Sequence, residues 1–456
     1  MRALPVVAAL IAALFAASPS LAAPISVPVS KFTLKNGMTV VLSEDHSVPR
    51  VHVGLRFGVG SSRETPGRTG FAHLFEHLMF EGSAHVPEGK FDQWLEAAGG
   101  ENNAYTSEDV TFYYEEVPSN AVELPLFLDS DRLGFFVEKL VPDLVDGQRD
   151  IVKNERRQSI ENRPFGDIEL LLPPTLWPKG HPYSWSVIGS MEDLSAASID
   201  DVKSFYGTWY APGNATLVVV GDFTSADMRK KIEHWYSDVP GRGAVEKPKP
   251  APAALAGEKR LVIEDAQAPF GLLQVVWPTV ELYHPDDANL DLLAAVLGGG
   301  AGARLTKRLV HELKIAQQVE VHQGSMERAG SFNVMVLANP GGDLTAIAKV
   351  VDEELAKLKA GGVTPAELER ARAGIESSMA DALDSLGEKA QRLAQYTAAW
   401  GQPDGFERDL KRYRVATPQS VTDVAKRWLG KGRVVVSALP PGQTSLAVRS
   451  PIGGGK

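Results

Sequence analysis

The residues of this 456-residue chain best placed to do chemistry are His73-Leu74-Phe75-Glu76-His77. Residues four apart on a helix stand one turn above each other, so both imidazoles can reach a single cation. Glu76 follows His73 by three, shares its face, and can touch a water on that cation without being a ligand. The positions around them, Phe71, Ala72, Leu74, Phe75, Leu78, Met79 and Phe80, are apolar almost all round, which predicts a buried helix. Polar groups buried together are costly unless something satisfies them. A metal ion does so directly; a hydrogen-bonded His–Glu pair is the plainer alternative. Two imidazoles and a carboxylate suit zinc with a fourth position left to water, although manganese and cobalt accept the same donors. In such a site zinc lowers the pKa of water towards about 7, and Glu76 is placed to take the proton as a peptide carbonyl is attacked. The chain has no cysteine, which excludes thiolate metal sites and thiol catalysis.

A third protein donor must come from elsewhere. A helix is predicted over residues 142–161, with Gln148, Ile151, Val152, Glu155 and Ser159 on one face. Ile151 and Val152 mark that face as inward, so Glu155 is a carboxylate aimed at apolar surroundings and needs a partner. On periodicity alone, a metal and a salt bridge with Arg156 or Arg157 are equally open.

The elements that must position these groups read as follows. Residues 31–43 form two strands around the turn Lys35-Asn36-Gly37. A strand over 51–59 alternates Val51, Val53, Leu55 and Phe57, and a glycine-punctuated loop over 58–70 leads into a helix over 71–80. Helices over 90–98, 121–138 and 142–161 and a strand over 111–117 follow. Ser198 opens a helix with a capping-box signature, and residues 215–220 return as a buried strand. Residues 240–257 contain Lys-Pro-Lys-Pro-Ala-Pro, which favours an extended linker. Beyond it lie a strand over 272–277 and helices over 288–297 and 304–313. A helix from Thr417-Pro418 then passes Trp428 to a strand over 434–436, as the helix from Ser198 passes Trp209 to the strand over 217–220. Matching order in two halves of about 200 residues indicates duplication.

Hydrophobic residues make up 44% and charged residues 23%, as in a folded protein, and a net charge of −10 argues against a nucleic-acid partner. Met1-Arg2, the apolar run over 4–17 and Ser20-Leu21-Ala22 read as a secretory signal peptide, too short and wrongly flanked for a stable membrane anchor. The expected division is a signal peptide over 1–22, a metal-bearing domain over 23–239 and a linker over 240–257. A homologous domain without metal over 258–445 and a flexible tail over 446–456 follow. The address this implies is the periplasm.

The chain resembles the pitrilysin/insulinase family of inverted-motif (HxxEH) zinc metallopeptidases, which includes the mitochondrial processing peptidases. The likeness is carried by His73-Leu74-Phe75-Glu76-His77, by Asn103-Ala104-Tyr105-Thr106 with Asp109 and Thr111, by Val152-Lys153-Asn154-Glu155-Arg156-Arg157, and by His181-Pro182-Tyr183. It implies an α+β fold of two homologous domains, each a mixed β-sheet flanked by helices, closed as a clamshell. It implies one zinc ion per chain on His73, His77 and Glu155, with Glu76 as catalytic base. It also implies a peptide substrate bound as an added β-strand beside Asn103 and Ala104.

Three positions depart from the family pattern. Gln148 stands where many relatives carry a glutamate. Val310 and Gln317 stand where an arginine and a tyrosine of the second half usually help to stabilise the oxyanion. His284, His311 and His322 are isolated in that half. The resemblance therefore implies the zinc-bearing member of a heterodimer, whose homologous partner carries the Arg/Tyr pair. A non-catalytic peptide-binding or assembly subunit is the alternative from another functional class.

Overall fold

In the computed structural model the described residues are 25–241, 245–246, 249 and 251–449. The expected signal peptide over 1–22 lies outside them. Eleven strands among these residues build two mixed sheets. The first contains β1 (Ser30–Thr33), β2 (Thr39–Glu44), β3 (Arg50–Phe57), β4 (Glu101–Thr106), β5 (Thr111–Pro118) and β6 (Ala215–Gly221), in the order β1-β2-β6-β3-β5-β4. The second contains β7 (Lys259–Glu264), β8 (Leu272–Thr279), β9 (Ala316–Ser325), β10 (Gly330–Ala338) and β11 (Val434–Leu439), in the order β7-β11-β8-β10-β9.

Without β1, the two orders are the same permutation of five strands. The directions agree as well: β2 with β6 and β7 with β11 are the parallel pairs, and the remaining neighbours are antiparallel. A shared order and a shared pattern of directions are what a duplicated α+β unit leaves behind. The Asn-Gly turn pairs β1 with β2 in the expected hairpin, Phe32 opposite Val40.

Each sheet has its own apolar core on one face, and the opposite face is covered by a helix from the other half. The Leu386–Trp400 helix lays Leu386, Ala390, Leu393 and Ala394 against Val41, Val218 and Val220 of the first sheet. The Asp167–Leu176 helix lays Ile168 and Leu176, with Trp177 beyond its end, against Val276, Val434 and Val436 of the second. This exchange explains why β3 is buried at nearly every position and not only at alternate ones. Val51, Val53, Leu55 and Phe57 face the core, while His52 faces the crossing helix, where a side chain on Gly387 would come within 3.2 Å of its ring.

Polar contacts also join the halves. Asp109 accepts from Ser62 Oγ at 2.8 Å, the Tyr183 hydroxyl at 2.7 Å and the Glu327 N–H at 2.9 Å, and the Tyr183 oxygen accepts from the Arg328 N–H. Across the expected linker, the Ala251 N–H donates to Arg328 O and the Ala251 carbonyl pairs with the His181 ring. At the far end Val448 is buried, its N–H held by Ser437 Oγ. Between the halves lies a cavity of about 880 Å³.

Lys389, on the crossing helix, bonds to Asp45 after β2 and holds that carboxyl down to about 2 from its ordinary 3.8. A depressed carboxylate stabilises the folded chain above the unfolded value, and that stability fades as pH falls from 3.8 towards 2. With solvent screening the contribution is about 1 kcal/mol or less. The Lys389→Met variant should therefore be less stable near neutrality and lose less stability between about pH 4 and pH 2. Denaturant melts across that range check this; parallel acid slopes for variant and wild type would contradict it.

Candidate metal centre

Helix α1 (Phe71–Leu78) follows β3 through a loop that ends at Gly70. Its apolar residues go inward: Phe71, Ala72, Leu74, Phe75 and Leu78 are buried. Phe75 is fully enclosed, with the rings of Phe136, Phe205, Tyr206 and Tyr210 packed around it at 5.0–6.4 Å. The Tyr113 hydroxyl donates to Phe75 O at 3.0 Å, tying the helix to β5. That packing leaves the third face, with His73, Glu76 and His77, turned to the edge of the core.

The two imidazoles lie 4.9 Å apart between ring centroids, at 79° to each other. Glu155 reaches them from the last residue of the Pro142–Glu155 helix, its Oε2 3.1 Å from His77 Nε2 and its Oε1 3.7 Å from His73 Nε2. Donor atoms of His73, His77 and Glu155 lie within 4.8 Å of one another, and no other such group of three occurs among the described residues. Of the two readings left open for Glu155, a salt bridge with its neighbours is not what forms. Arg156 bonds to Glu161 and to Gly189 O, and Arg157 to Asn154.

The surroundings set the charge states. Burial drives His73 well below its ordinary value, so its ring is neutral with a lone pair to give. Glu155 is held below its ordinary value by its bond to His77 and so stays anionic. A neutral imidazole beside an ionised carboxylate, converging at this spacing, is a donor set that fits a divalent transition metal. Burial raises the Glu76 carboxyl, while Thr106 Oγ1 on β4 donates to Glu76 Oε2 at 2.5 Å and opposes that rise.

Contrary to the inward face expected from helical spacing, Ile151 does not point inward; it is 48% exposed. The buried stripe runs through Val145, Gln148 and Val152, spaced by three and four, and Glu155 continues it. After Glu155 the backbone widens into a π-helical turn over Arg156–Glu161, a distortion frequent at functional positions. Gln148 is buried, and its Nε2 donates to Glu81 Oε1 at 2.7 Å.

Asn103 and Ala104 sit on β4, the free edge of the first sheet, two to three residues before Thr106. They are not among the residues lining the cavity that contains His73 and Glu155; Thr106 and Glu108 reach it instead. The opposite wall comes from the second sheet: Gln274, Gln318, Glu320, His322 and Asn333, beside Leu272, Met335 and Leu337. His322, isolated in the sequence, faces the cavity, with its pKa lowered by burial. Val310 packs on the second core, and Gln317 donates to Ala338 O. Spacing does not reveal Thr106 or His322, because each comes to the site by strand pairing.

Two family models match the chain. Residues 39–175 match insulinase (peptidase family M16), and residues 196–375 match the peptidase M16 inactive domain. Over 369 residues the chain is 29% identical to the zinc protease PqqE of Helicobacter pylori, covering 80% of this chain and 82% of that one. It is 23% identical to the uncharacterized zinc protease YmxG of Bacillus subtilis, over 91% and 99% of the two chains. Its fold is similar to the crystal structure of a protease from Helicobacter pylori, with a TM-score of 0.85 and 26% identity, covering 91% of this chain and all of that one.

The Thr106 bond yields a test that needs no metal. Because it lowers the Glu76 pKa, Thr106→Val should move the Glu76 titration to higher pH in the metal-free chain. Carbon NMR of labelled glutamate side chains reads the midpoint. An unchanged midpoint would show that Thr106 does not hold the carboxylate.

Proposed function

Because this chain, matched in both halves, belongs to the insulinase family of peptidases, M16, we propose that it is an exported zinc metalloendopeptidase acting on short or unfolded peptides. The observation that carries the reading is the convergence of His73, His77 and Glu155 with Glu76 alongside. Bound by those three side chains, zinc supplies a Lewis acid that polarises the scissile carbonyl and lowers the pKa of water.

The chain's own residues do the rest. Burial keeps His73 neutral and able to give its lone pair, and Glu155 brings the compensating negative charge. Glu76 takes a proton from the attacking water as oxygen adds to the carbonyl carbon. It then hands that proton to the departing amine nitrogen as the C–N bond breaks. Thr106 fixes which way the Glu76 carboxylate faces. The free edge of β4, carrying Asn103 and Ala104, offers main-chain groups to an extended peptide, which favours tolerance of sequence over recognition of a folded surface. The cavity of about 880 Å³ suits an extended segment and excludes a folded domain.

Neither Val310 nor Gln317 faces the cavity, and neither carries a charge that could stabilise an oxyanion. That supports a homologous partner chain that brings the Arg/Tyr pair. The apolar run over residues 4–17 supports export to the periplasm, and no helix among the described residues is long and apolar enough to cross a membrane.

Glu76→Gln decides the catalytic reading. It should retain zinc and lower chelator-sensitive cleavage of a quenched peptide about a hundredfold to ten-thousandfold, assayed with the homologous partner present. Zinc and peptide bound equally by both proteins, with no cleavage by either alone or with the partner, would replace the peptidase by a peptide-binding subunit.

A further inference from the structure

Helix α1 begins without a capping side chain. Its N-cap is Gly70, in left-handed backbone at φ +87°, which offers nothing to the unpaired N–H groups of the first turn. A buried carboxyl group from outside the helix meets them instead. Gly70 N donates to Glu64 Oε2 at 3.0 Å, and Ala72 N donates to Glu64 Oε1 at 2.8 Å. Glu64 lies at the end of the Ser61–Arg63 turn and is only 7% exposed. Both of its oxygens are thus engaged at the helix end, where burial pushes the Glu64 carboxyl up to about 8 and the Ala72 and Gly70 N–H bonds oppose that rise. Ala72 is the residue immediately before His73.

The same first turn is braced from the other side. Thr69 donates to Asp193 Oδ2 through its N–H and its hydroxyl, at 3.0 and 2.6 Å. Gly70 and Gly189 meet backbone to backbone: a side chain on Gly70 would lie 2.7 Å from Ile188 O, and one on Gly189 would lie 2.4 Å from Gly70 Cα. Gly189 O in turn accepts from Arg156 Nη1 at 2.7 Å, one residue beyond Glu155. One backbone segment therefore supports both elements that carry the converging donors.

We infer that Glu64 is a positioning residue for the metal centre: by clamping the first turn of α1 it sets His73 and His77 in register with Glu155. This rests on the metal reading proposed above. A donor set works only when held within about 0.5 Å of its geometry, and α1 has just two turns through which an error at its start reaches both imidazoles. Glutamine at position 64 can accept only one of the two N–H bonds and turns its own N–H towards the other.

The test is zinc affinity of the full chain, by competition with a chromogenic chelator, for wild type, Glu64→Gln and Glu64→Asp. Visible absorption of the cobalt-loaded proteins and thermal unfolding of the metal-free proteins accompany it. Zinc affinity should fall about tenfold to a hundredfold in Glu64→Gln, with an altered cobalt spectrum, and less in Glu64→Asp. A folded Glu64→Gln that binds zinc within twofold of wild type and shows an unchanged spectrum would overturn the positioning role while leaving the peptidase reading intact. Failure of both variants to fold would make Glu64 a residue of the fold alone, which also overturns it. If wild type itself binds no zinc, the metal reading and this inference fall together.

Discussion

Ionisable side chains at the edge of an apolar core need partners, and the first half of this chain is arranged around that need. Helix α1 spends most of its surface on Phe71, Leu74, Phe75 and Leu78, and its remaining face carries His73, Glu76 and His77. Packing at Phe75 fixes the rotation of the helix, and rotation decides whether two imidazoles share a point in space. Glu155 closes the arrangement from a second helix whose buried stripe ends at the site. The placement of the two imidazoles and the packing of the core are one constraint, met by the eight residues of α1.

The degree to which this was legible in the sequence depends on how each residue reaches its place. The His73–His77 pair could be read because helical spacing is a local property. The placement of Glu155 could be read in outline, with the error at Ile151 arising because a stripe of buried positions 145, 148 and 152 leaves residue 151 about 100° away. Strand β3 looked half-buried by alternation and is covered on both sides, since its second cover arrives from more than three hundred residues later. Glu64 and Thr106 left no periodic trace. One acts through a loop and the other across a sheet, and contacts of that kind become visible only when the chain is folded.

The two halves share strand order and direction, but they have been put to different uses. In the first, the helix after β3 carries the converging donors; in the second, the helix after β8, Asp287–Gly298, is mostly apolar, and its two carboxylates, Asp287 and Asp291, are bonded to Arg412 and Tyr413. The second sheet instead turns a face of amides, one carboxylate and one imidazole to the cavity. Duplication supplied two frames, and among the described residues the one group of three converging His and carboxylate donors stands in the first.

The exchange of covering helices has a consequence for the chain as a covalent object. The Leu386–Trp400 helix is bolted to the first sheet and the Asp167–Leu176 helix to the second, each through a continuous apolar seam. Neither half can be peeled away without wetting both seams at once, so the halves behave as one cooperative unit and not as beads on a string. A nick in the proline-rich stretch at residues 240–257 would sever the polypeptide without parting the molecule. Two fragments would travel together, each wearing a piece of the other.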